Sequence, residues 1–395
     1  MESFVESILR RLSVSSSSRD RQHNGRSYIS GHSYKCQCGR SVFFRDSTCR
    51  ACGAPLGYDP LLGEIRALAA GPSEGTWRLS NTEASSHAYR RCGNFDSPAR
   101  CNWLLPAEDL SPHCISCRLN RTIPDLSDAD NRRYWAAIED AKRRLVSQLL
   151  VLGVPVKSKV SEDPERGVAF DLLRSPPDGP RVMTSHGSGL ITLNVEEADD
   201  AQREKIRHEL HEPYRTLVGH FRHEVGHYYW DRLIAGTVWH EPCRALFGDE
   251  RADYAAALKK NYEKGPPPDW ATRYISSYAS THPWEDWAES WAHYLHLLDS
   301  LDTALSFGFA AENVRAEVEV EQFTVADLYA PDHPDAEHTV ALVNSWVLLT
   351  TVLNELAHSM GQPDFYPFVM SREVLRKVTF IKLVVTDDKA YAVAK

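Results

Sequence analysis

The sequence lacks both the long apolar stretch of a membrane protein and the basic leader of an exported one. Crossing a bilayer takes roughly 18 to 20 uncharged apolar residues, and the longest such run, around residues 343–353, is shorter. The N-terminus, MESFVESILRRL, has glutamates where an export signal has positive charge. We therefore expect a cytoplasmic protein without a membrane partner.

Excess positive charge is also missing. The chain has 45 Lys and Arg residues against 54 Asp and Glu, a formal net charge of −9, whereas a protein that coats nucleic acid is expected to be basic. Its 395 residues are 42% hydrophobic. This content is enough for one sizeable core with one or two small modules attached.

Cysteine is unevenly distributed, because only Cys243 of the nine cysteines lies beyond residue 118. Cytoplasmic thiols stay reduced, so this usage indicates metal binding before disulfides. The others form two sets of four: Cys36, Cys38, Cys49 and Cys52, then Cys92, Cys101, Cys114 and Cys117. Each set contains a C-x-x-C pair, and we predict two structural zinc sites with pairing inside each set. Pairing across the sets, a redox pair and reduced core cysteines are the alternatives.

The surroundings of the first set suggest a compact module. Gly39 and Gly53 each follow a cysteine pair, where a tight turn needs glycine. Closed sites of this kind hold a fold and can dock a partner. Nearby basic and aromatic residues could contact nucleic acid or a protein tail, or could simply cover the metal.

Composition divides the chain into three segments. Residues 1–30 predict a short helix followed by a Ser-rich flexible linker. Residues 31–122 predict a cysteine-rich zinc-ribbon module, and residues 123–395 the main domain.

The hydrophobic pattern of the main domain changes along its length. Apolar residues recur at three and four positions from Asp128 onward, which predicts one long helix. Residues 155–196 predict short strands between Pro/Gly turns. A second helical stretch starts near Ala198 and breaks near Pro213, and helices dominate from Phe247 onward. The predicted fold class is α+β, mostly helical with a small sheet.

The segment LVGHFRHEVGHYYW contains His223-Glu224-Val225-Gly226-His227, the H-E-x-x-H pattern. Residues four apart share one face of a helix, so both imidazoles can reach one ion. Glu224 is then placed to hold a water and accept its proton. A chance match is the alternative, so the third ligand has to decide.

The best third ligand lies in HPWEDWAESWAHYLHLL, which predicts a buried helix with an aromatic stripe. We predict Glu285 as the third metal ligand and Glu289 as the carboxylate that orients a ligand imidazole. A solvated acidic helix face is the alternative. A metzincin is excluded, because Leu233 and Trp230 stand where its third histidine and its glycine would be.

Glu285 follows His227 by 58 positions, a long separation for such a site. Four other side chains are therefore rival ligands: Asp231, His240, Asp249 and Glu250. We interpret Asp249 and Glu250 as charges at a helix start or as buried partners of Arg251.

HEVGH together with Tyr278, Glu285 and Glu289 resembles the gluzincin arrangement of the anthrax lethal factor type, in which H-E-x-G-H precedes Y-x6-E-x2-A-E. The resemblance implies that Tyr278 donates a hydrogen bond to the developing oxyanion. More widely, the stretches HEVGHYYWDRL, FGDERADYAAAL and MGQPDFYPF are similar to a bacterial family of zinc-binding metallopeptidases, over most of residues 120–385. This likeness implies a zincin-like fold for the main domain, while the family's substrates are undefined.

These features lead us to expect a zinc-dependent peptidase with one catalytic and two structural zinc ions. Water activated by the metal and by Glu224 would attack a peptide carbonyl, with Tyr278 stabilising the oxyanion. Residues 189–195 could be an edge strand to which an extended peptide adds, or an ordinary internal strand. The alternative function is a zinc-ribbon adaptor whose peptidase-like domain binds peptides without cleaving them.

Overall fold

The computed structural model describes residues 32–80, 87–209, 214–309 and 322–387. Two compact units divide the chain. The N-terminal unit comprises Arg26–Phe221 and Leu305–Gly308, and the C-terminal unit includes Arg222–Ala304 and Phe309–Lys395. The helix and linker predicted in residues 1–30 lie outside the described residues.

The first half of the N-terminal unit is built from antiparallel strands. A small hairpin pairs β1 with β2, and a five-stranded sheet has the order β3-β4-β5-β6-β7. Leu68, Leu79 and Leu104 form a buried cluster on this sheet, which stabilises strands that are too short to persist alone. The strands are Tyr34–Lys35 (β1), Ser41–Val42 (β2), Leu56–Asp59 (β3), Glu64–Ala70 (β4), Trp77–Leu79 (β5), Tyr89–Arg91 (β6) and Leu104–Pro106 (β7).

The long helix predicted after Asp128 is confirmed as α1, Ala129–Leu152. The Asp128 carboxylate caps its N-terminus by accepting hydrogen bonds from the amides of Asp130 and Asn131. Gly153 ends the helix in the left-handed conformation. Its apolar stripe, which includes the fully buried Trp135, faces the core of the N-terminal unit.

A four-stranded mixed sheet follows, in the order β10-β11-β9-β8. β11 lies between β10, which is antiparallel to it, and β9, which is parallel to it. The proposal that residues 189–195 form an edge strand is therefore wrong, and the internal alternative is right. The strands are Asn120–Thr122 (β8), Ala169–Leu173 (β9), Ser185–Gly187 (β10) and Leu190–Asn194 (β11).

Two helices come next, α2 at Asp200–Glu209 and α3 at Leu217–Leu233. The break predicted near Pro213 falls between them, in a segment outside the described residues. The boundary between the two units lies within α3, between Phe221 and Arg222.

The described part of the C-terminal unit is helical, as predicted, and the α+β fold class is confirmed for the chain. α5 ends just before the Gly-Pro-rich segment at residues 265–268, and α8 starts after the proline pair at residues 331–334. The helices are His240–Phe247 (α4), Tyr254–Lys264 (α5), Trp270–Arg273 (α6), Pro283–Ser306 (α7), Ala336–Ser359 (α8) and Arg372–Thr386 (α9).

Helix α3 packs closely on α7 at Gly226. A Cβ at this position would lie 3.0 Å from the Ala288 Cα and 3.2 Å from the Trp291 ring, so a larger residue would push the two helices apart by a few tenths of an ångström. The Trp287 indole donates a 2.8 Å hydrogen bond to the Gly226 carbonyl. The glycine inside HEVGH therefore sets the spacing of the two helices that carry the predicted metal ligands.

A buried ion pair fastens α9 to α7. The Lys377 ammonium lies 2.6 Å from the Asp286 carboxylate and also donates to the Arg273 carbonyl. Both side chains are almost completely enclosed. Charges in such a place are tolerated only while they remain paired.

Lys377→Met is therefore expected to lower the free energy of unfolding by about 3–5 kcal/mol, because it leaves the Asp286 carboxylate buried without its partner. Urea denaturation followed by circular dichroism measures the change. Lys259→Met is the control, since Lys259 is exposed and its contact with Glu263 is long, at 3.8 Å. This substitution should cost less than about 1 kcal/mol. Equal effects of the two substitutions would contradict this view of the buried pair.

α8 contains the apolar run that the sequence analysis judged too short to cross a membrane. That judgement is wrong, since the helix spans 24 residues with a mean hydropathy of 1.4 and is therefore long and apolar enough to cross a membrane. Within its apolar window, 33% of the residues are buried, among them Val343, Trp346 and Leu349. One such helix is weak evidence for a membrane span, because the core helix of a soluble protein passes the same test.

Candidate active site and cysteine clusters

His223 and His227 lie on one face of α3, because they are four residues apart, about one helical turn. Their Nε2 atoms lie 3.2 Å apart. The two rings meet edge to face, with centroids 4.9 Å apart. The structure thus brings together the two imidazoles that the sequence motif singled out.

Glu285, in the first turn of α7, completes a triangle of possible ligand atoms. Its Oε2 lies 3.0 Å from Nε2 of His223 and 3.6 Å from Nε2 of His227. Ligand atoms around a tetrahedral zinc with bonds of about 2.0–2.1 Å stand about 3.3 Å apart. The three observed distances match that spacing.

The electrostatics of this triangle favour a cation. The Oε2 atom of Glu285 is buried, and its polar neighbours are the Nε2 atoms of His223 and His227. A buried carboxylate is costly unless positive charge accompanies it. Burial lowers the pKa of His223, but Glu285 and Glu289 together raise it well above its ordinary value. The pocket therefore stabilises positive charge where the three atoms converge, as a zinc site would.

Behind His223 stands the carboxylate of Glu289. Its Oε1 lies 2.7 Å from Nδ1 of His223, and Ser276 donates a 2.6 Å hydrogen bond to its Oε2. A carboxylate that accepts from Nδ1 fixes the tautomer that leaves Nε2 free for a metal. Ser276 was missed by the sequence analysis, since a lone serine in a loop carries no recognisable pattern.

The rival ligands have other partners. Asp249 pairs with Arg251 at 2.7 Å, as interpreted from the sequence, but both side chains are exposed and the pair is not buried. Glu250 instead accepts from Arg244 and faces His240 at 3.0 Å, and these contacts lower the pKa of Glu250 to about 2. Among the described residues, the candidate metal groups include none of these side chains, nor Asp231.

Two tyrosines line the same place. Tyr278 lies in a short 3-10 helix, and its ring centroid is 6.0 Å from that of His223. Tyr254, at the start of α5, donates a 2.8 Å hydrogen bond to Oε1 of Glu285. The sequence analysis did not identify Tyr254, although it lies in the stretch FGDERADYAAAL that carried part of the family resemblance.

Glu224 follows His223 on α3 and is half-buried. Burial is the main cause of the raised pKa of Tyr254, and the charge of Glu224 contributes to it. A carboxylate in that position can exchange protons with a water beside the histidines.

The first cysteine set converges in the β1–β2 region. Sγ of Cys36 lies 3.6 Å from that of Cys52, and Sγ of Cys38 lies 3.8 Å from that of Cys49. Thiolates around a zinc with bonds of about 2.3 Å stand about 3.8 Å apart. Gly39 and Gly53 both have positive φ, at 83° and 73°, so the turns after the pairs have the conformation that glycine permits.

The second cysteine set is more deeply enclosed. All four thiols are buried, and those of Cys101 and Cys114 lie 3.7 Å apart. The Cys114 amide donates to Sγ of Cys92 at 3.4 Å. The cysteines thus group within each set and not across the two sets.

A buried charge network on α1 stands against the second set. Cys117 lies 3.7 Å from Oε2 of Glu139, whose Oε1 accepts a 2.6 Å bond from Lys142. Burial lowers the pKa of Arg143, but the charges of Cys101 and Glu139 raise it above its ordinary value. Four thiolates on one zinc leave a net charge of about −2, so these cations offset the charge of a loaded cluster.

Comparison with protein families places the chain in a known family. A family model described as "Putative zinc-binding metallo-peptidase" matches residues 131–384. The chain belongs to this zinc-binding metallo-peptidase family. A zinc-ribbon family model matches residues 33–128 of the same chain. The predicted family membership is confirmed, and the likeness to the lethal factor motif stays a prediction.

Relatives of this chain occur in mycobacteria. An uncharacterized protein of Mycobacterium bovis and uncharacterized proteins of two Mycobacterium tuberculosis strains are each 39% identical to it over 351 residues. The match covers 89% of this chain and 94% of each relative. No solved structure matches the chain.

Proposed function

We propose that the protein is a zinc-dependent peptidase that hydrolyses peptide bonds. The observation that carries the proposal is the convergence of two imidazole nitrogens and one buried carboxylate oxygen, within 3.6 Å of one another, beside the half-buried Glu224. A site meant only to hold a structural ion has no need of a second carboxylate that adjoins the ligands without being one of them.

His223, His227 and Glu285 would hold the catalytic zinc, and Glu289 would keep the His223 ring in its ligating orientation. Bound there, zinc polarises a carbonyl group and lowers the pKa of a coordinated water. Three protein ligands leave a fourth coordination position open, which distinguishes this site from the two closed four-cysteine clusters.

Glu224 would move the proton. It accepts a proton from the attacking water while the water oxygen bonds to the peptide carbonyl carbon. It then delivers that proton to the amine nitrogen as the C–N bond breaks, so the residue ends in its starting state. The Tyr278 hydroxyl would donate a hydrogen bond to the carbonyl oxygen as negative charge develops on it.

The wider proposals follow from the same chemistry. The substrate is a peptide or protein, and the two four-cysteine clusters bind two structural zinc ions. The zinc ribbon docks a protein or nucleic-acid partner, and the enzyme acts in the cytoplasm without a membrane partner.

Zinc analysis combined with a peptide-library digest tests the proposal. The purified chain is expected to hold three zinc ions and to yield cleavage products detectable by mass spectrometry. A chelator should abolish cleavage, and added zinc should restore it. Retention of peptides without cleavage, with two zinc ions per chain, would instead support the adaptor alternative.

A further inference from the structure

The two oxygens of Glu285 have different surroundings. Oε2 faces Nε2 of His223 and His227, whereas Oε1 accepts a 2.8 Å hydrogen bond from the Tyr254 hydroxyl. We propose that Tyr254 is a positioning residue that fixes Glu285 as a one-oxygen metal ligand. For its catalytic consequence, this inference rests on the proposed peptidase function.

The hydrogen bond limits how Glu285 can bind. A carboxylate can offer one oxygen or both, and a second oxygen on the metal would occupy the position that water or substrate needs. With Oε1 held by Tyr254, only Oε2 remains to face the metal. Tyr254 thereby preserves the open coordination position.

Tyr254 is held in place by a rigid connection between two segments. Its ring packs edge to face on His282, with centroids 5.3 Å apart. The Trp284 amide donates to Nδ1 of His282, so Nε2 carries the proton that is donated to the Ala252 carbonyl at 3.0 Å. Residues 252–254 are thus fastened to the segment that leads into Glu285.

The rest of helix α5 contributes little to the core. It begins at Tyr254, where the Asp253 side chain accepts from the Ala256 amide. No residue of α5 is fully buried. Burial alone therefore does not explain why α5 is present between His227 and Glu285. The contact of Tyr254 with Glu285 gives this helix a role.

Tyr254→Phe in the full-length, zinc-loaded protein tests the proposal, because it removes the hydroxyl and keeps the ring packing. We expect zinc affinity at the histidine site, measured by chelator competition, to fall by roughly 10- to 100-fold. The visible spectrum of the cobalt-substituted site should change, because the carboxylate geometry changes. In peptide cleavage, kcat should fall by a larger factor than KM rises.

Two variants act as controls. Tyr262→Phe changes a tyrosine on the same helix whose side chain is 65% exposed, and it should alter neither zinc affinity nor the cobalt spectrum. Tyr278→Phe should lower kcat while zinc affinity stays at the wild-type value. Zinc held by the cysteine clusters reports on folding of the N-terminal unit, and far-UV circular dichroism with the melting temperature reports on folding of the whole chain. Both should be unchanged in all three variants.

Wild-type zinc affinity and an unchanged cobalt spectrum in Tyr254→Phe would overturn the proposal. Loss of the cysteine-bound zinc in this variant would also overturn it, because Tyr254 would then support the fold and not the ligand. If the wild-type protein cleaves no peptide, the proposed function fails, whereas the affinity and spectral measurements still decide the role of Tyr254.

Discussion

Glu224→Gln is expected to lower kcat for peptide hydrolysis by roughly 10²- to 10⁴-fold, the range that a general acid–base residue contributes. The amide of glutamine is similar in size to the carboxylate but cannot accept the proton of water. The zinc content should not change, because Glu224 lies outside the group formed by His223, His227 and Glu285.

The effect is measured with a fluorogenic peptide identified from the library digest, together with zinc analysis of the same sample. Glu355→Gln is a matched control, since the Glu355 side chain is 76% exposed and its loss should leave kcat at the wild-type value. Cleavage by Glu224→Gln within a factor of a few of wild type would exclude Glu224 as the proton acceptor.

Cys101→Ser is expected to remove most or all of the free energy of folding. Cys101 is completely buried, and so are the other three members of its set. A structural zinc site contributes roughly 10–16 kcal/mol in small zinc modules, whereas a whole domain is stable by only about 5–15 kcal/mol. The variant should therefore be recovered largely as aggregate.

Cys38→Ser provides the comparison, because Cys38 is exposed and its set is only half enclosed. This variant should stay soluble with a lowered melting temperature. In the wild-type protein a chelator should remove zinc from the first set before the second, since the buried thiolates are harder to reach. Equal rates of zinc release from both sets would contradict the difference in burial.

The parts of the site that depend on short spacing were accessible from the sequence. HEVGH places two imidazoles on one helix face through helical periodicity alone, and the turns after the first cysteine pairs depend on single glycines. Glu285 needed more, because its approach to His223 depends on the packing of α7 against α3. The buried helix pattern of HPWEDWAESWAHYLHLL indicated Glu285, and the family resemblance then added its spacing from Tyr278.

Contacts between distant segments were the ones missed. Tyr254 reaches Glu285 across 31 positions, and a tyrosine at the start of a polar helix has no periodic signal. The place of β11 inside its sheet depends on strand order, which the alternation of residues 189–195 does not encode. Glu250 pairs with Arg244 and not with the adjacent Arg251, because helix α4 places the Arg244 side chain next to Glu250.

The charge network on α1 has a consequence for where this chain can be cut. Glu139, Lys142 and Arg143 belong to the segment matched by the metallo-peptidase family, whereas the thiolates of Cys101 and Cys117 belong to the zinc ribbon. All five lie in one compact unit. Excision near residue 130 would remove these thiolates together with Asn120, which contacts both Glu139 and Lys142. It would also uncover two side chains that are fully enclosed in the whole chain, so the evolutionary border of the ribbon is not a border of folding.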